Sequence, residues 1–151
     1  MELTSTGIPD GSTIGLKYAE EGAGGQNVSP DLTWSGAPEG TKSFAITIYD
    51  PDAPTGSGWW HWVLIDIPAS VTHLDEGEVP EGARQWVNDY GYVNYGGACP
   101  PPGPAHRYVH TVHALPFEHH PADESASCAA VRAGIFRNQL ASASFTALFA
   151  Q

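Results

Sequence analysis

The sequence predicts a single β-rich domain, all-β or α+β, with one helix near the C-terminus. Its 151 residues suit one hydrophobic core, because domains commonly run ~100–150 residues. Gly 17 and Pro 13 together make up about a fifth of the chain, against ~12% in ordinary proteins, so turns are frequent and long helices few. Three segments, Ser43–Asp50, His61–Ile67 and Arg107–Leu115, are enriched in β-branched and aromatic residues and read as the strands of a central sheet. Hydrophobic residues make up 41% and charged residues 15%, well under the ~25% usual for soluble domains, so a water-soluble chain of this kind must be compact.

Residues 1–43 alternate short apolar pieces with turn sequences such as Ile8-Pro9-Asp10-Gly11, Glu21-Gly22-Ala23-Gly24-Gly25 and Gly36-Ala37-Pro38-Glu39-Gly40. They read as loops between short strands. No repeat and no low-complexity linker divides the chain. Asn27-Val28-Ser29 matches a glycosylation acceptor but is followed by Pro30 and reads as idle.

In the first central strand the two-residue period puts Phe44, Ile46, Ile48 and Asp50 on one face, so an acid ends an apolar stripe. In the second, the same period puts Val63, Ile65 and Ile67 on a face with His61 at its N-terminal end. Antiparallel pairing of these strands brings Asp50 and His61 to one rim, bridged by Pro51–Trp60. The third strand aligns His106, Tyr108, His110, Val112 and Ala114, and running parallel to the second it reaches the same rim. Pro121-Ala122-Asp123 offers a helix start, and Cys128, Val131 and Ile135 follow at helical spacing, predicting a helix near 123–140. Phe145, Ala147 and Phe149 alternate, which predicts a final strand over Ser144–Ala150.

The formal charge of −11 is the opposite of the basic stripe that phosphate backbones require, so nucleic-acid binding is excluded and adhesion to anionic membranes disfavoured. A local cationic pocket for one anion remains compatible with that charge. No apolar run approaches ~18 residues, and Met1-Glu2-Leu3-Thr4 has no signal-peptide character, so a cytoplasmic location is expected. Cys99 and Cys128 sit in no paired-cysteine metal motif and read as two buried thiols. His73, His119 and His120 lie in polar surroundings and read as solvated, whereas His110 could stand behind the site.

Three stretches could carry chemistry. Asp50-Pro51-Asp52-Ala53-Pro54 is a rigid, acid-bearing loop, although Asp and Pro are also ordinary turn formers. Trp59-Trp60-His61-Trp62 sets one histidine among flat apolar surfaces, which suits a small-ligand pocket or a packed core. From Tyr95 to Pro104 the chain is too rich in Gly and Pro for a helix or central strand, so Gly96, Gly97, Ala98 and Cys99 can offer free backbone N–H groups of the kind that cradle anions. It then runs into His106 and Tyr108, a hydrogen-bonding pair on one face.

Asn27-x-Ser29-Pro30-x-Leu32-x-Trp34, Asp50-Pro-Asp-Ala-Pro54, Trp59-x-His61 and the proline-rich loop into His106-Arg107-Tyr108, in that order over nearly the whole chain, closely resemble the phosphatidylethanolamine-binding protein family. Within it the chain is similar to the bacterial, Raf-kinase-inhibitor-like branch. The resemblance implies two antiparallel sheets and a rim pocket that recognises a phosphate or phosphate-monoester head group. The matching positions are Asp50, Asp52, Pro54, Trp59, His61, His106 and Tyr108, with the backbone of Gly96, Gly97, Ala98 and Cys99 beside them. It further implies a cis Ala53–Pro54 bond, a homodimer, and the possibility of regulation through protein partners.

A carboxylate facing phosphate repels it, so Asp50 is expected to hold His61 or His106, or to meet a ligand ammonium, and to raise the histidine pKa. The reading is of a non-enzymatic module without cofactor or metal, whose partner is a small phosphorylated molecule or phospholipid head group. The alternative is a hydrolase, either metal-assisted through Asp50, His61 and His106 or with a serine nucleophile. Against the latter, Ser57 lies in a Gly-Ser-Gly turn and not in a nucleophile elbow.

Overall fold

The computed structural model describes residues 1–151. The strands are β1 (Glu2–Thr4), β2 (Leu32–Ser35), β3 (Ser43–Asp50), β4 (Trp59–Pro68), β5 (His73–Leu74), β6 (Arg84–Gln85), β7 (His106–Leu115) and β8 (Ala141–Phe149), with one helix, α1 (Cys128–Asn138). They form two antiparallel sheets, one of order β1-β2-β5 and one of order β6-β4-β3-β7-β8. The expected fold class is therefore the observed one. β7 flanks β3 on the side opposite β4 and runs parallel to β4, so the third central strand does reach the rim where Asp50 ends β3.

Both faces of β3 are buried, as a central strand requires. Phe44, Ile46 and Ile48 meet Leu32 and Trp34 of the small sheet in the main core, while Ala45 joins Val63, Ile65, Val131 and Ile135 beneath α1. The molecule is thus layered as small sheet, large sheet and helix. No helix is long and apolar enough to cross a membrane.

The single face expected for His61, Val63, Ile65 and Ile67 is broken by two β-bulges. Phe44 pairs with Ile67 and Ile46 with Leu64, which leaves an extra residue on β4 where Asp66 adopts φ 62°. Ile48 pairs with Trp62 and Tyr49 with Trp60, which leaves His61 as a second extra residue. Each bulge inverts the alternation. Ile67 therefore joins Trp62 and Leu64 in the main core, Val63 and Ile65 face the helix, and His61 turns away from them.

The helix starts later than expected. Ser127 is the N-cap, its hydroxyl accepting from Ala130 N–H at 3.1 Å, and Val131 and Ile135 form the buried stripe. Asp123 caps a preceding turn, accepting from Ser125 N–H at 2.8 Å. β8 begins at Ala141, three residues before the expected start, because β7 offers partners along its length. No peptide bond is cis, so the Ala53–Pro54 bond is trans, contrary to expectation. The reversal there uses an Asp50 side-chain turn, in which Oδ1 accepts from Asp52 N–H at 2.7 Å, together with positive φ at Gly56 and Gly58. Cys99 and Cys128 are free thiols, each only partly buried.

His120 is buried, unlike the exposed His73 and His119. Its Nε2–H donates to Val131 O at 3.0 Å and its Nδ1 accepts from Ala122 N–H at 3.0 Å, so the ring is satisfied as a neutral tautomer. Its backbone N–H donates to Asp66 Oδ1 at 2.7 Å, and Asp66 Oδ2 pairs with Arg84 Nε at 2.6 Å. This network ties the segment before α1 to the bulge in β4. The helix accommodates the ring because Gly134 faces it: a Cβ there would stand 2.3 Å from His120 Nε2. Gly134→Ala should therefore destabilise the protein by about 1–3 kcal/mol despite the better helix propensity of alanine, a loss measurable by urea titration.

Burial lowers the pKa of His61, His110, His113 and His120, that of His110 to about 4. Histidines of the unfolded chain titrate near 6.5 and bind protons more readily. The stability held by these neutral rings is thus fully present above about pH 6.5 and is lost as pH falls toward the folded-state values. For His110 alone the loss at pH 5 is about 2 kcal/mol. Urea denaturation should show lower stability at pH 5 than at pH 7, with a smaller difference in His110→Asn. Equal pH dependence in the variant would remove His110 from this account.

Candidate functional site

At the rim shared by β3, β4 and β7 lies a cavity of about 330 Å³ lined by Asp50, Ala53, Pro54, Thr55, Trp59, His61, Tyr90, Cys99, Pro100, Pro101, His106 and Tyr108. Its floor comes from the ends of the three strands. The bulge brings His61 onto the same face as Asp50 and Tyr108, and its ring meets Tyr108 edge-on at 5.2 Å. Trp59, opposite Asp50 in the ladder, forms a side wall with Tyr90 against it at 5.3 Å.

Asp50 holds His106 and not His61. Its Oδ2 lies 2.7 Å from His106 Nδ1 while its Oδ1 caps the turn at Asp52, so both oxygens are occupied. His61 is held instead by the glycine loop: Nδ1 lies 2.8 Å from Gly96 O and 3.1 Å from Gly97 O. Carbonyl oxygens only accept, so Nδ1 carries a proton. Burial is the largest influence on His61 and outweighs the opposing influence of Gly96 O, Asp50 and Gly97 O, so its pKa falls where a rise was expected. The ring is neutral, with Nε2 as a lone-pair acceptor.

The loop's expected free N–H donors are partly engaged. Gly96 N–H donates to His61 O at 2.9 Å and Gly97 N–H to Asn27 Oδ1 at 2.6 Å. Gly96, Gly97 and Ala98 stand behind the cavity wall, and only Cys99 of the four lines it. The glycines are there for close approach: a Cβ on Gly97 would sit 2.2 Å from Tyr18 O, and one on Gly96 2.6 Å from the Tyr90 ring. Asp52 also stands outside the lining. Its carboxylate takes Arg107 Nε at 3.0 Å, Arg107 Nη2 at 2.8 Å and Arg107 N–H at 2.8 Å, which clamps the rim loop to β7 and lowers its pKa to about 2. His110 stands behind the site, stacked on Phe145 at 4.6 Å.

Three buried side-chain atoms among the lining residues have no hydrogen-bond partner: Trp59 Nε1, His61 Nε2 and Tyr108 Oη. Buried polar groups are normally paired, and an unpaired one costs about 1–3 kcal/mol, so three in one cavity mark a place built for a polar guest. Burial pushes the Tyr108 hydroxyl pKa up, so it stays protonated as a donor beside the indole N–H. No group of three His, Cys, Asp or Glu side chains takes up metal-holding geometry. Ser57 lies outside the lining, its N–H donating to Thr55 Oγ1 at 3.2 Å.

Sequence reasoning missed Ala53, Thr55, Tyr90, Pro100 and Pro101 in the lining and the part played by Asn27. Tyr90 donates its hydroxyl to Gly97 O at 2.8 Å, and Asn27, at φ 54°, bonds Gly97 N–H and donates to Tyr95 O at 3.1 Å. The signal for Asn27 was its place in the Asn27-x-Ser29-Pro30 string. Tyr90 carried none, since its loop has no periodic pattern.

Comparison with known proteins agrees with this architecture. The chain is 46% identical to Escherichia coli YbhB over 99% of both chains and 48% identical to Escherichia coli YbcL over 98% of this chain and 86% of that one. The crystal structure of Escherichia coli YbcL, described as a new member of the mammalian PEBP family, superposes with a TM-score of 0.94 at 47% identity, covering 99% of this chain and 98% of that chain. A Chlamydia trachomatis homologue superposes with a TM-score of 0.86 at 27% identity over 99% of this chain and 97% of its own. The family model described as phosphatidylethanolamine-binding protein matches residues 4–150. With that match spanning nearly every residue, the chain belongs to the phosphatidylethanolamine-binding protein family.

Proposed function

We propose that the rim cavity binds the phosphate of a small phosphoryl compound, either a free phosphate monoester or a phospholipid head group, and that the protein acts as a non-enzymatic binding module. The observation that carries this reading is that Trp59 Nε1, His61 Nε2 and Tyr108 Oη, all buried and unpaired, belong to residues lining one cavity. His106 adds a further group. With Nδ1–H directed to Asp50, its protonated form presents Nε2–H as a charge-assisted donor, and Asp50 offsets that charge without facing the guest with a free lone pair. The cavity volume of about 330 Å³ suits a head group and not a folded polymer. A hydrolytic reading would need an activated nucleophile, and no side chain in the lining makes the nucleophile-to-base hydrogen bond that marks one.

His106→Ala should weaken binding of phenyl phosphate by about one to two decades, the value of one charge-assisted bond, while the fold persists because the residue sits at a rim. Calorimetric titration reads the change, and unchanged binding in the variant would place the site elsewhere.

The proposal extends to pairing of two chains. Phe136, at the C-terminal end of α1, and Leu140, just beyond it, are 49% and 45% exposed and leave apolar surface suited to an interface. Light scattering at tens of micromolar should give twice the 16.0 kDa of one chain, and a monomer mass would withdraw this part.

A further inference from the structure

The hydrogen-bond parity of the cavity has a consequence for which phosphoryl species fits. Trp59 Nε1–H and Tyr108 Oη–H are donors, and a carbonyl, ester or anionic oxygen satisfies them. His61 Nε2 is the opposite kind of group. Its ring proton is committed to Nδ1 by two carbonyl oxygens at 2.8 and 3.1 Å, supplied by a glycine loop that Asn27 and Tyr90 in turn hold in place. A fully deprotonated oxyanion has only acceptors, so one placed against Nε2 would set lone pair against lone pair.

Resting on the phosphate reading above, we propose that the site selects an oxyanion that carries its own proton, the monoanion of a phosphate monoester or phosphonate, with its P–OH donating to His61 Nε2. The guest's bare oxygens then accept from Trp59, Tyr108 and the His106 imidazolium. Every polar group in the cavity is paired in that arrangement, and the guest carries a single negative charge, which the −11 chain repels less than a dianion.

The groups that face His61 are consistent with a neutral ring. Tyr108 and Tyr90 present ring edges at 5.2 and 5.6 Å, and both hydroxyls are held protonated by burial. His110 lies behind it, itself neutral, and Cys99 and His106 also line the cavity. Asp50 and Asp89 are the negative groups that act on it, and their pull toward the charged form is smaller than the desolvation that opposes it. A proton shared by guest and ring is therefore better left on the guest.

The test uses two guests of equal charge and nearly equal shape, methylphosphonate monoanion and methanesulfonate, of which only the first has a proton to donate. At pH 6 calorimetry should show methylphosphonate binding about tenfold or more tightly, the value of satisfying one buried acceptor. In His61→Leu that preference should collapse toward unity, because the acceptor is gone for both guests. Should the variant fail to fold, nitrogen NMR of the wild-type complex decides, since His61 Nε2 must remain unprotonated with methylphosphonate bound.

Equal affinity for the two guests, a preference that survives in His61→Leu, or a protonated Nε2 in the complex would each overturn the inference while leaving the phosphate site standing. Failure of methylphosphonate, inorganic phosphate and phenyl phosphate all to bind would overturn the phosphate reading itself, and this inference with it.

Discussion

The antiparallel pairing of β3 with a neighbour on each side is the constraint on which the rest of the molecule depends. Since β4 and β7 both run opposite to β3, the end of one strand and the beginnings of two others coincide at a single rim. Those three ends supply Asp50, Trp59, His61, His106 and Tyr108. Burial of both faces of β3 between the small sheet and α1 fixes the register, because a slip of one residue would drive Asp50 off the rim and turn Phe44, Ile46 and Ile48 from the small sheet into the space packed by Ala45 beneath α1.

The two bulges in β4 use that rigid pairing for different ends. At Asp66 the bulge points a carboxylate at Arg84 and at the His120 backbone, which docks the segment leading to the helix. At His61 the bulge lets the imidazole join the face of Trp62 and Leu64, so it enters the cavity while Trp62 stays in the core. An unbulged strand would bury one of these side chains correctly and misplace the other.

Polar groups near the cavity are satisfied from behind and left open in front. Asp52 is taken up by Arg107, Asp50 by His106 and its own turn, Gly97 N–H by Asn27, and His61 Nδ1 by two carbonyls. What remains toward the cavity is a small set of mostly uncharged groups in a chain of charge −11. This is how a strongly acidic protein can present an interior compatible with an anion: its rim acids are already paired, and the approaching guest meets N–H and O–H groups in place of free carboxylate oxygens.

The strand content, the single helix and the meeting of Asp50, His61 and His106 at one rim were legible in the sequence. Period-two alternation and antiparallel connection are local rules that need no knowledge of the remainder of the chain. The family resemblance was legible for a similar reason, since its motifs are short and ordered. Contacts made across long separations were not. Asn27 reaches Gly97, Tyr90 reaches the carbonyl that also holds His61, and Asp66 reaches the His120 backbone; nothing near these residues in sequence announces their partners. Those contacts decided that the glycine loop presents carbonyls to His61 where free N–H groups were expected, that His120 is buried, and which face each residue of β4 occupies. Sequence alone determined which polar groups gather at the rim, and only tertiary packing decided which of them donate, which accept and which are already spent, because hydrogen-bond roles are set by the partner that closes in space.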